Sequence, residues 1–282
     1  MVFLFRLLAH LPLPLLHNIG ALAGWLAYLC SPTYRRHLRE NTALAGLQSV
    51  RLAAVAEAGK SIIELPKIWL RPQEEVIERV VCVSGWELVE AAWREERGIL
   101  FLTPHLGCFE ITAQYYAARR PITVLYRPPK QAWLRPLVEQ GRGANLRLAP
   151  ADFSGVRLLM RALRRREAVG ILPDQVPGLG EGVWAPFFDR PAYTMTLAVR
   201  LAEAGATVLL AYAERLAYGA GYRLHLRTLS APLAGTLAER ATQLNGELEM
   251  LIRECPEQYL WGYNRYKAPA GVPAPKGSDR ED

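Results

Sequence analysis

Four cysteines are all that the 282 residues offer, and Cys30, Cys82, Cys108 and Cys255 are scattered without paired metal-ligand or redox spacing. That pattern excludes a disulfide scaffold and a thiolate metal knuckle, and it fits a reducing compartment. No two of the five histidines stand at helical His-x-x-x-His spacing, which removes the usual helical zinc site. Gly178-Leu-Gly180-Glu-Gly182 lacks both the third-glycine spacing of a dinucleotide turn and the Lys-Ser/Thr of a phosphate loop. No Gly-x-Ser-x-Gly elbow and no aromatic-basic RNA motif is present. No break in composition divides the chain, so a single large domain is expected.

What is present is basic and, at one end, greasy. A formal net charge of +7 and a pI near 9.4 call for an anionic partner: a phosphorylated lipid, an acidic carrier protein or nucleic acid. Residues 1–30 narrow the choice, because they are overwhelmingly apolar, interrupted by Arg6, His10, Pro12, Pro14, His17 and Asn18. A full span needs ~20 apolar residues, so this segment reads as a proline-kinked span or a helix lying in the interface. The rival is a cleaved signal peptide with Ala21-Leu-Ala23 as its cleavage site. Arg35, Arg36 and Arg39 follow directly, and that positive flank favours a retained anchor with the body in the cytoplasm. A membrane location sets nucleic acid aside.

Beyond the anchor, 34–45 reads as a basic helix and 49–69 as an amphipathic one that Pro66 should kink or end. From residue 76 strands and helices alternate: strands at 80–83, 99–102, 122–126, 146–148, 168–172, 207–213 and 222–228. Helices fall between them, one opened by a capping box at Ser84-x-x-Glu87 and the last by Thr236-x-x-Glu239. After the fifth strand comes an irregular loop, then a helix over 194–204. Alternation of this kind predicts an α/β fold with a mostly parallel central sheet covered by helices, and a site beyond the carboxyl ends of the strands.

The stretch at such an end is Thr103-Pro-His-Leu-Gly-Cys-Phe-Glu110, between a buried-strand pattern and a helical one. With His105 in the loop and Glu110 in the helix's first turn, the carboxylate could hold one ring nitrogen and leave the other as a general base. The positive helix end would disfavour the imidazolium and keep the base neutral. Such a pair carries no nucleophile of its own, so the nucleophile would have to come from the substrate, most simply a hydroxyl. Cys108, inside the motif, is read as a small apolar packing residue. The alternative for the pair is a loop histidine beside an unrelated surface glutamate. The basic run Arg161, Arg164, Arg165 and Arg166 is read first as a solvated helix end, where cations are favoured, and second as a docking face for an acidic carrier or anionic lipid.

His105-x-x-x-x-Glu110 within GILFLTPHLGCFE, followed in order by LYRPPK, ILPDQ, PFFDRPAYT and WGYNRYKAP, resembles the bacterial lipid A biosynthesis acyltransferases, within the wider glycerolipid acyltransferase group. The resemblance runs from the N-terminal apolar segment to about Pro269. It implies acyl transfer from an acyl carrier protein to a hydroxyl of a phosphorylated lipid A precursor, at the cytoplasmic face of the inner membrane, with no metal or redox cofactor. In this reading His105 and Glu110 are catalytic, and N–H groups around Gly107 with Arg127 hold the oxyanion, or Arg127 binds the acceptor's phosphate. Asp174 and Gln175 line the cleft, orienting the acceptor or holding Arg127, with a plain Asx-turn after Pro173 as the alternative, and Arg265 binds substrate. Asp189 stands where the family usually has glycine, and Asn264 where other members often have a basic residue. The corresponding domains are 1–30 as membrane anchor, 31–269 as acyltransferase domain and 270–282 as a disordered tail. A lysophospholipid or other hydroxylated lipid is the alternative acceptor, and a non-catalytic membrane lipid-binding protein the alternative class.

Overall fold

A computed structural model of the protein describes residues 2–129, 131–140 and 145–275. The chain opens with α1 (Val2–His10), α2 (Leu13–Cys30), α3 (Pro32–Leu44), α4 (Arg51–Ile63), α5 (Leu65–Leu70) and α6 (Gln73–Ile77). The long amphipathic helix expected over 49–69 is therefore two helices. Pro66 sits in the first turn of α5, where its missing N–H has no intrahelical partner to lose.

Alternation follows: β1 (Val80–Ser84), α7 (Trp86–Arg94), β2 (Ile99–Leu102), α8 (Phe109–Ala117), β3 (Ile122–Tyr126), α9 (Arg135–Gln140), β4 (Leu146–Pro150), α10 (Phe153–Arg164) and β5 (Ala168–Ile171). The chain continues through β6 (Gly182–Phe187), β7 (Arg190–Met195), α11 (Thr196–Ala202), β8 (Thr207–Arg215), β9 (Tyr222–Thr228) and α12 (Leu237–Glu254). Seven strands form one sheet in the order β1-β9-β8-β2-β5-β3-β4, every neighbouring pair parallel except β8 with β9. The mostly parallel, helix-covered sheet is the architecture the alternation predicted.

The central strands feed both faces. Along β2, Leu100 and Leu102 pack into one apolar cluster, with α10, α11 and α12, while Ile99 and Phe101 pack into the other, with α5, α7 and α8. The two-residue period of a strand makes this split, and burial on both sides is why β2 and β5 read as unbroken apolar runs.

Three local expectations change. The loop after β5 contains the hairpin β6–β7, whose two-residue turn, Phe188-Asp189, has both φ angles positive, at 48° and 59°. That is the backbone a tight right-twisted hairpin needs, and aspartate tolerates it, so the turn is kept without the family's glycine. Residues 190–195, partly assigned to a helix, belong to β7. The capping box at Ser84 does not form: Ser84 pairs with His225 as the last residue of β1, and Gly85, at φ 85°, starts α7 instead. A Cβ on Gly85 would lie 2.1 Å from the Leu226 carbonyl oxygen, so the close approach selects glycine. The box at Thr236 and Glu239 is formed in full. Of the 270–282 tail, Pro273 accepts a hydrogen bond from the Trp184 indole, and residues 276–282 lie outside the described residues.

Candidate active site

Two neighbouring parallel strands build the site. In the β2–β5 register Leu102 faces Ile171, and His105 and Asp174 each lie three residues beyond a member of that pair. Equal offsets from a matched register bring the two residues together at the carboxyl edge of the sheet. Thr103 continues the ladder by donating its N–H to the Ile171 carbonyl at 3.0 Å.

There His105 Nδ1 lies 2.8 Å from Asp174 Oδ1, and the His105 backbone N–H donates to Asp174 Oδ2 at 2.9 Å. A carboxylate can only accept, so Nδ1 carries the ring proton and Nε2 keeps its lone pair. Nε2 is 3.0 Å from the Gln175 side-chain amide nitrogen, which donates to it in that tautomer. Asp174 is buried, which by itself would raise its pKa. The His105 ring and the two hydrogen bonds from His105 outweigh burial and hold the carboxyl below its ordinary value.

Asp174 thus fills, at Nδ1, the role assigned from the sequence to Glu110. Glu110, in the first turn of α8, accepts the indole N–H of Trp69 at 3.2 Å and lines the same cavity as His105. Glu110 shares the cavity wall with His105, but the partner of the ring is a carboxylate 69 residues beyond His105 in sequence.

The oxyanion role of the Gly107 N–H is overturned. That N–H donates to the Gln258 carbonyl at 3.1 Å, and the Cys108 N–H to the Ala213 carbonyl at 2.8 Å. Gly107 is instead a close-approach residue: its φ is 62°, and a Cβ there would sit 2.0 Å from the Ala213 oxygen. The loop is clamped between the end of β8 and the segment after α12, where the Leu260 N–H also donates to the His105 carbonyl at 3.2 Å.

Arg265 does not face substrate either. Its guanidinium is buried beneath the hairpin, donating to the Tyr193 carbonyl and to Thr194 Oγ1 at 2.8 Å each, and it is not among the residues of the cavity wall. Burial lowers its pKa, opposed by the negative charge of Asp174. Arg127, following β3, does line the cavity, as does Gln175. Cys108 is fully buried, and burial pushes its thiol pKa up, so it stays protonated and packs as a small apolar group.

The cavity itself holds about 1000 Å³. His105, Glu110 and Arg127 share its wall with Phe101, Val124, Leu146 and Val156, contributed by the sheet and by helices that include α8 and α10. Gly170 in β5 contributes wall without a side chain; a Cβ there would meet Val124 at 3.0 Å. A largely apolar wall that also carries His105, Glu110 and Arg127 suits a ligand with a long hydrocarbon part and a reactive polar head. Among the described residues no group of three or more His, Cys, Asp or Glu could hold a metal ion.

Comparison with known proteins agrees with that shape. The family model for the bacterial lipid A biosynthesis acyltransferases matches residues 1–268. The chain is 26% identical over 287 residues to the lipid A biosynthesis lauroyltransferase of Escherichia coli K12, covering 95% of this chain and 90% of that protein. It is also 26% identical over 256 residues to the lipid A biosynthesis palmitoleoyltransferase of the same organism, covering 90% and 80%. A lipid A biosynthesis acyltransferase of Haemophilus influenzae is 24% identical over 294 residues, covering 94% and 88%.

Proposed function

Since the chain belongs to the bacterial lipid A biosynthesis acyltransferase family and is an acyltransferase of lipid A biosynthesis, we propose that it moves a fatty acyl chain from the thioester of an acyl carrier protein to a hydroxyl on a lipid A precursor. The observation that carries this reading is the His105–Asp174 pair, 2.8 Å apart, with His105 on the wall of a largely apolar cavity of about 1000 Å³. The acyl chain lies in the cavity, with its thioester carbonyl beside His105. His105 Nε2 takes the proton of the acceptor hydroxyl as that oxygen attacks the carbonyl carbon. Gln175, which occupies Nε2 here, yields its place to the hydroxyl. The tetrahedral intermediate then expels the carrier thiolate, which leaves as thiol with the proton from His105.

Asp174 keeps the ring in the productive tautomer and balances the imidazolium. The Glu110 carboxylate stands on the same cavity wall, held by the Trp69 indole. Arg127 faces the developing oxyanion or the acceptor's phosphate, and a fixed cation there is worth on the order of 3 kcal/mol of barrier. No acyl-enzyme is needed, in keeping with the buried, protonated Cys108. Acyl carrier protein is the co-substrate, no metal or redox cofactor takes part, and the reaction runs at the cytoplasmic face of the inner membrane, where both substrates meet.

The test is transfer of labelled acyl chains from acyl carrier protein to lipid A precursor by the purified protein. Loss of transfer in His105→Ala, with the fold intact by circular dichroism, is expected. Retained transfer would overturn the assignment, and transfer only to lysophospholipid would replace the acceptor.

A further inference from the structure

By length and composition α2 could cross a membrane: 18 residues at ~1.5 Å each reach about 27 Å. Its packing points elsewhere. Leu13, Leu16, His17, Gly20 and Gly24 form one buried stripe against the body, while Leu22, Leu26 and Leu29 on the other side are 72%, 61% and 68% exposed.

The buried stripe runs antiparallel along α4 at backbone contact. A Cβ on Gly24 would lie 2.2 Å from the Val55 carbonyl oxygen, and one on Gly59 would lie 1.9 Å from that of Gly20. Below the crossing, His17 Nε2 sits 3.2 Å from Glu64 Oε2, and Glu64 is held by Arg215 of β8 at 2.9 and 2.5 Å and by the Tyr222 hydroxyl at 2.9 Å. Arg215 also takes Glu57 of α4 at 2.7 Å. A spanning α2 would have to carry α4, with Glu57 and Lys60, and this ion cluster into hydrocarbon, where each charge is costly. Tearing α2 away would instead open the glycine contact and strip the His17 partner from Glu64.

We propose that α2 does not span the membrane but lies flat on it, docked to the body by its glycine stripe, with its leucine stripe and the outward side of α1 buried in the lipid surface. Phe3 of α1 is 81% exposed, and Leu4 and Leu7 are about half exposed, so both helices carry an apolar side that nothing in the body covers. Exposed Arg6, Arg36 and Arg39 flank that face in sequence and suit anionic headgroups. The face also adjoins the cavity: Phe5 of α1 stacks on Trp69 at 6.2 Å between centroids, and Trp69 both lines the cavity and donates to Glu110. One layer of rings separates bilayer from site, which lets a lipid acceptor approach sideways without leaving the membrane.

The inference rests on the proposed membrane site of action, and its test needs no substrate, so a wrong acceptor and a wrong topology give different results. The full chain carrying Cys82→Ser is expressed with native Cys30 at one end of α2, or with Cys30→Ser and Pro12→Cys at the other; Cys108 and Cys255 are buried. Inside-out vesicles from the expressing cells are then treated with a membrane-impermeant maleimide. A flat helix gives full labelling of both ends without detergent. Labelling of either end only after detergent opens the vesicles would overturn the proposal, as would recovery of the protein in the soluble fraction.

Discussion

Replacing Asp174 with asparagine isolates what the carboxylate does for the ring. The His105 backbone N–H donates to one carboxylate oxygen at 2.9 Å, and the ring faces the other at 2.8 Å. In Asp174→Asn the amide oxygen must remain on the backbone N–H, because an amide NH2 placed there would oppose donor to donor. The NH2 then faces Nδ1, which can only accept, and the ring proton moves to Nε2. Shape and burial hardly change, yet the atom that should take the acceptor's proton already has one. The expected loss in kcat is on the order of 10⁴, the size found where the orienting acid of a histidine base becomes an amide, or about 5.5 kcal/mol of barrier. Single-turnover acyl transfer at saturating lipid separates this from a binding defect. A variant within about tenfold of the wild-type rate, one order against the four expected, would refute the tautomer argument.

Further expectations concern the residues around that pair. Glu110→Gln leaves the His105–Asp174 hydrogen bonds in place and should cost less in the same assay than Asp174→Asn; a larger loss would return the orienting role to Glu110. Burial alone would raise the Glu64 pKa, but Arg215 and His17 bring it from 4.5 to about 2. A depressed carboxyl stabilises the fold fully above the unfolded value and loses that contribution as pH falls through the folded one, so on the order of 3 kcal/mol should disappear between about pH 4.5 and about pH 2 in denaturant titrations. Arg215→Met leaves Glu64 and Glu57 without their cation and should destabilise by about 3–5 kcal/mol, read as a lowered Tm. Gly107→Ala places a Cβ 2.0 Å from the Ala213 oxygen at a positive φ, and should lower both Tm and transfer while leaving carrier affinity unchanged.

The architecture was legible because its signals are local. Apolar runs of strand length, separated by amphipathic helices, can only become a covered parallel sheet, and His105 announced itself by following one such run. What could not be read was whatever depends on strand order. Asp174 ends the fifth run and His105 the second, and only the neighbouring of β2 and β5 makes them partners. Gly107 looked like an anion cradle because its N–H opens a helix; its commitment to Gln258 involves a segment about 150 residues away, invisible to any local pattern. Arg265 shows the converse error, a cation near the end of the chain read as facing substrate while the fold uses it to pin the β6–β7 hairpin. That hairpin was itself missed, since its turn is a Phe-Asp pair in a backbone usually signalled by asparagine or glycine.

The central claim is that His105 presents a bare Nε2 because Asp174 owns the proton on Nδ1. Nitrogen-15 spectra of the histidine-labelled protein at neutral pH read this directly. The wild-type His105 resonances are expected to show a protonated Nδ1 and an unprotonated, hydrogen-bond-accepting Nε2, reversed in Asp174→Asn. A wild-type ring carrying its proton on Nε2, or a pattern indifferent to Asp174, would contradict the account.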